Sequence, residues 1–113
     1  MGFVEIPGFN NYMINKEGVL YSKVYKKKLK PFTTTSGYLS VMIKDDDGRD
    51  RNRLVHYLVI MAYKNDEYSK LKESHELYNP SDERCLVVNH IDGNKQNNDL
   101  DNLEIVSQKE NYK

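Results

Sequence analysis

Residues 88–111 read VNHIDGNKQNNDLDNLEIVSQKEN, and this stretch decides how the chain is read. With Cys85-Leu86-Val87 before it, Val88 completes a short apolar run that predicts a buried strand. Leu103-Glu104-Ile105-Val106 alternates at period two and predicts a second strand. Between the two lies a polar loop of residues 90–102. Ser107-Gln108-Lys109-Glu110 has the form of a capping box, in which the serine and the glutamate three residues later satisfy free N–H groups, so a helix begins there. The unit is strand, loop, strand, helix. His90 ends the first strand, where a rigid element would position it, and Asn89 stands beside it. Asn111 falls in the first helical turn, whose dipole and free N–H groups favour phosphate.

Those residue types suit phosphodiester cleavage. A histidine titrates in the range needed to take a proton from water. Oxygen donors with few thiolates suit a hard divalent cation, which offsets charge at phosphorus and at the departing oxygen. The same residues are also what a turn-rich loop uses to shape its backbone. Taken alone, the loop leaves both readings open.

Working outward, Leu54–Tyr63 is apolar over a wide arc and predicts a helix packed inside the fold. Residues 64–84 are charged, include Asn79-Pro80 and show little periodicity, so they are expected to form a long surface connection with room for one helical turn. The first part is β-rich: Tyr12-Met13-Ile14, Val19-Leu20-Tyr21 and Tyr38–Ile43 are aromatic and branched runs separated by turn signals. Asp45-Asp46-Asp47-Gly48 predicts a hairpin turn into a strand at Arg49–Arg53. It lacks the later ligand spacing of a calcium loop. Cys85 reads as a small buried hydrophobe and His75 as a solvated side chain.

The chain of 113 residues supports one modest core. No apolar run is long enough to cross a bilayer, and no secretory leader is read at the start, so a cytoplasmic setting is expected. A lone cysteine excludes an internal disulfide. One cysteine and scattered histidines also disfavour a structural zinc finger. Formal net charge is zero but unevenly spread: residues 1–44 carry seven lysines and two glutamates, whereas residues 45–113 carry ten basic and fifteen acidic side chains. The basic half, with Lys26, Lys27, Lys28 and Lys30, offers phosphate contacts, although lysines also guard solvated strand edges.

The run "VVNHIDGNKQNNDLDNLEIVSQKEN" resembles the HNH homing-endonuclease family, whose pattern is V-N/D-H-x-D-G-N-x-x-N-N, then N-L-E-W-V-T and a later Asn. "LVHYLVIMAY" is similar to the family's helix. "IPGFNNYMINKEGVLYSKVYKKKLKP" resembles the modular nuclease-associated domain that commonly precedes it. The resemblance covers Ile6–Pro31 and Val55–Asn111, and related proteins are often encoded by phages or mobile introns. It implies an α+β protein with a β-rich DNA-binding module over residues 1–53 and a ββα-metal unit over residues 54–113, forming one compact body.

The resemblance also implies roles. His90 is the general base, Asn102 ties the loop and orients that base, and Asn89 and Asn111 hold one Mg2+ or Mn2+. The substrate is double-stranded DNA, cut to 5′-phosphate and 3′-hydroxyl ends. Lys95 and the four lysines are expected at the DNA, with His56 either touching phosphate or supporting the site. Three positions depart from the pattern: Asn89 is neutral where relatives often carry Asp, Tyr57 replaces an Arg, and Ile105 replaces a Trp. Asn111 is followed by Tyr112 and Lys113, so the metal-bearing helix is expected to be barely one turn. The alternative is a weak or inactive DNA-binding accessory protein that keeps the fold.

Overall fold

A computed structural model describes residues 2–111, with side chains through Lys109, and its described residues form three antiparallel sheets and three helices. The first sheet is a meander of β1 (Val4–Ile6), β2 (Phe9–Ile14), β3 (Leu20–Ser22) and β4 (Lys27–Leu29), in that order. Between β2 and β3 the chain reverses around Asn15, whose Oδ1 accepts from the backbone N–H groups of Glu17 and Val19. Gly18 completes the turn at φ +84°, a conformation that strains any residue with a Cβ.

The second sheet contains β5 (Phe32–Thr33), β6 (Leu39–Lys44) and β7 (Asp50–Leu54). Its β6–β7 hairpin turns on Asp45, as the aspartate cluster predicts. Asp45 Oδ1 accepts from the N–H groups of Asp47 and Arg49, and its Oδ2 accepts from Arg51 Nε at 2.9 Å. The Arg49 amide and then the Arg51 side chain hold this carboxyl below its usual range.

Helix α1 (Val55–Tyr63) buries Val55, His56, Leu58, Val59, Ile60 and Met61. It sits in a core with Ile6, Phe9, Ile14 and Leu20 of the first sheet, Val41 and Ile43 of the second, and Leu103. Helix α2 (Asn65–Leu77) corrects the expected surface connection. Asp66 and Glu67 in its first turn match the helix dipole, but only Leu71 and Ser74 are buried. Such a narrow apolar stripe leaves almost no period in the sequence. Among the described residues no helix is long and apolar enough to cross a membrane.

The last unit pairs β8 (Leu86–His90) with β9 (Leu103–Ser107), His90 opposite Leu103 and Asn89 opposite Glu104. A 3-10 turn at Leu100–Asn102 closes the loop, and α3 (Gln108–Asn111) starts directly after Ser107. The Gln108 N–H donates to the Cys85 carbonyl at 2.8 Å, which fixes where that helix begins. His75 is exposed, in line with the expected solvated side chain, but its Nε2 also bonds the Leu86 carbonyl at 2.7 Å. Ser74 Oγ accepts from the Leu86 N–H beside it, so α2 latches the start of β8.

Candidate active site

His90 stands at the end of β8, only 7% exposed, and its Nε2 lies 2.9 Å from Asn98 Oδ1. An amide oxygen only accepts, so this arrangement pairs with the tautomer that carries hydrogen on Nε2 and leaves a lone pair on Nδ1. The loop that supplies Asn98 is tied around Asp92. Asp92 Oδ1 accepts from the Asn94 N–H and from Asn102 Nδ2, and its Oδ2 accepts from Asn97 Nδ2. These bonds, Asn97 foremost, hold the Asp92 carboxyl below the usual range. Asn102 also accepts from the Asp92 N–H and donates to the Asn97 carbonyl, so it acts within the loop. The side chain that bonds the His90 ring is Asn98, which the sequence pattern does not single out from its neighbours.

His56 reaches the same place from α1. It is 3% exposed, and its ring centroid lies 4.9 Å from that of His90 in an edge-on arrangement. Burial, and then the neighbouring His90, lower its pKa to about 4, so the ring is neutral near pH 7. Its Nδ1 is buried and finds no hydrogen-bond partner among the described residues. Tyr38, from the turn before β6, lies 5.1 Å from the His56 ring and 5.8 Å from the His90 ring. Lys95 crosses from the loop, donates to the Ser36 carbonyl at 2.9 Å and holds its ammonium 5.0 Å from the Tyr38 ring centroid. Together Tyr38, His56, Tyr57, Asn89, His90 and Lys95 line a cleft of about 490 Å3.

Asn89 borders this cleft and donates from Nδ2 to Glu104 Oε1 at 2.8 Å. With the amide nitrogen committed to a carboxylate, the carbonyl oxygen is the atom left to meet a cation. That suits a hard divalent ion, which takes oxygen ligands and keeps several waters. The Asn111 side chain, the other expected ligand, lies outside the described residues. Among the described residues no three His, Cys, Asp or Glu side chains gather into a metal-binding group.

The expected basic contacts divide in two. Lys95 lines the cleft, whereas Lys26, Lys27, Lys28 and Lys30 are exposed on or beside β4, the edge strand of the first sheet, and do not. Tyr38 and Glu104 join the site without having been expected there. Glu104 was readable in principle, because pairing His90 with Leu103 places it opposite Asn89. Tyr38 carried no local signal.

The sequence profile of the HNH endonuclease family matches residues 53–113. An HNH endonuclease of Acanthamoeba polyphaga mimivirus is 38% identical over 102 residues, covering 90% of this chain and 26% of that protein. An SPbeta prophage-derived HNH homing endonuclease of Bacillus subtilis is 37% identical over 100 residues, covering 88% of this chain and 49% of the relative. The chain thus spans between a quarter and a half of the length of these relatives. A solved structure of DNA binding and cleavage by the HNH homing endonuclease I-HmuI superposes with a TM-score of 0.74 at 30% identity, over 99% of this chain and 56% of the other. With the profile spanning the helix, the His90 loop and the strands around it, the chain belongs to the HNH endonuclease family.

Proposed function

We propose that the protein is a divalent-metal-dependent DNA endonuclease in which His90 is the general base. The observation that carries this reading is the His90 ring itself: nearly buried at the cleft and 2.9 Å through Nε2 from Asn98 Oδ1, a pairing in which Nδ1 is the atom that accepts a proton. Water deprotonated there attacks phosphorus in line with the departing 3′ oxygen, leaving 5′-phosphate and 3′-hydroxyl ends. Asn89 and Asn111 would hold Mg2+ or Mn2+, and the bound ion supplies stabilisation of negative charge at the phosphate.

Lys95 contacts the backbone of double-stranded DNA at the cleft, and the β4 lysines contact it farther out. His56 is neutral and buried, so it serves the site by hydrogen bonding to a phosphate oxygen or by packing against His90. The Asn102 side chain keeps the loop in the shape that presents the base.

One observation favours a second reading, a DNA-binding accessory protein: Asn89 brings no negative charge to the cation. Supercoiled plasmid incubated with Mg2+ or Mn2+ separates the two. The nuclease reading expects nicked or linear product from wild type, and a rate lower by roughly 10²–10⁴-fold for His90→Ala. Equal rates for the two proteins would end it, and retained gel shifts would then support the accessory reading.

A further inference from the structure

We propose that Asn98 is the positioning residue of the His90 base, and that the 15–18 turn of the N-terminal sheet clamps it in place. The inference rests on His90 being the base and adds that the first sheet completes the active site. Asn98 is 3% exposed, and its Oδ1 accepts from His90 Nε2 at 2.9 Å. This bond selects the tautomer with a free Nδ1 lone pair. If the amide rotated, Nδ2 would point at Nε2, the hydrogen would move to Nδ1 and the basic atom would be lost. Once Nδ1 has taken a proton, both ring nitrogens are donors. Only the Oδ1-facing orientation therefore serves the ring before and after proton transfer.

Among the described residues no hydrogen bond holds the other side of the amide, because Asn98 Nδ2 is buried without a partner there. Packing holds it instead. A Cβ built at Gly18 would lie 3.0 Å from Asn98 Cβ, 3.4 Å from the Asn98 carbonyl oxygen and 3.3 Å from Val55 Cγ1, so the turn backbone packs closely against Asn98 and the start of α1. Two positions on, the Leu100 N–H donates to the Lys16 carbonyl at 2.7 Å, fastening the loop to the same turn. The turn is stiff in its own right: Asn15 is 5% exposed, accepts through its side chain from Glu17 and Val19, and accepts through its carbonyl from the Gly18 N–H. Contact therefore runs from the first sheet through Gly18 and Asn98 to His90 Nε2. A glycine at position 18 is required twice, by φ +84° and by the space Asn98 occupies.

The test uses the full chain, with plasmid nicking kinetics and long-range 1H–15N NMR of the His90 ring. Wild type is expected to show the Nε2–H tautomer. Asn98→Ala should give mixed tautomers and a kcat lower by roughly 10–100-fold, the usual scale for partners that orient an active group, with KM unchanged. Asn98→Asp keeps an acceptor and should recover the tautomer and most of kcat. Gly48 provides the matched control for the clamp, with φ +81° and nothing within 4 Å of a built Cβ. Gly18→Ala should lower kcat well beyond Gly48→Ala and shift the His90 tautomer toward that of Asn98→Ala, a change that crowding of Val55 alone would not produce.

A wild-type Nδ1–H tautomer, or equal kcat values for the two glycine variants, would overturn the proposal. Should Gly18→Ala fail to fold, the tautomer and the Asn98 variants still decide it. Wild-type kcat in Asn98→Ala beside an inactive His90→Ala would sink the positioning role alone. A His90→Ala variant as active as wild type would sink the base reading, and this proposal with it.

Discussion

His56 shows how a single side chain ties stability to the site. Its folded-state pKa is about 4, below the ordinary 6.5, because burial penalises the cation. The unfolded chain therefore binds the extra proton between those values, and stability falls as pH drops from 6.5 toward 4. The loss approaches about 3 kcal/mol at full amplitude, from about 1.4 kcal/mol per pH unit. His56→Leu should flatten this part of the profile. Urea midpoints of both proteins at pH 7 and pH 4.5 check it: the wild type should lose more between the two, and parallel losses would show that His56 does not carry the effect.

At this scale the place of His90 and Asn89 at the cleft was legible because they stand at a strand end before a recognisable loop. Asn98 was not, because residues 94, 97, 98 and 102 are all asparagines and only the folded loop selects one for the ring. Tyr38 was out of reach, since it meets the histidines from a different sheet.

Among the elements, the β8–β9 ribbon carries the most consequence. Its register places Asn89 opposite Glu104, and the two share a 2.8 Å bond. Replacing Asn89 by Asp alone would set two carboxylates face to face, an unfavourable cross-strand pair. Asn89→Asp with Glu104→Gln removes the repulsion and supplies the anionic ligand that relatives often carry. Under the proposed reading, the double variant should half-saturate at several-fold lower Mg2+ than wild type, while Asn89→Asp alone gains less. Nicking rate against Mg2+ concentration measures both, and an unchanged midpoint in the double variant would remove Asn89 from the cation site.

Helix α2 carries a second prediction. Ser74 is 6% exposed, donates to the Leu71 carbonyl and accepts from the Leu86 N–H. Ser74→Ala leaves that N–H without its partner, at a cost of roughly 1–3 kcal/mol. Urea denaturation should register the loss, and amide exchange at Leu86 should accelerate. Strands β2, β3, β6, β7, β8 and β9, α1 and the start of α3 were legible from branched and aromatic runs, breadth of apolar surface and capping, whereas the two- and three-residue β1, β4 and β5 are too short to show a period. Helix α2 was not, because two buried residues in thirteen leave the hydropathy of a solvated segment.

For the whole molecule, zero net charge conceals two opposed halves, and the proposed DNA contacts outside the cleft fall on the basic one. Residues 1–44 carry seven lysines and two glutamates, and four of those lysines are exposed at or beside the β4 edge. The acidic excess lies in residues 45–113, where the Asp45 and Asp92 carboxylates are engaged in turns and loop bonds. A nucleic-acid contact through the edge lysines would release counterions, and each phosphate neutralised adds about 0.9 to the slope of log K against log salt. Converting Lys26, Lys27, Lys28 and Lys30 to Ala should therefore weaken DNA binding and reduce that slope by up to about 3.6 if all four touch phosphate. None of the four lines the cleft, so kcat on saturating plasmid should change little. Fluorescence anisotropy of a labelled duplex in Ca2+ across a salt series gives the slope, with nicking kinetics run in parallel. An unchanged slope would assign the lysines to guarding the edge of the first sheet, and DNA would then have to be held by groups nearer the cleft, Lys95 among them.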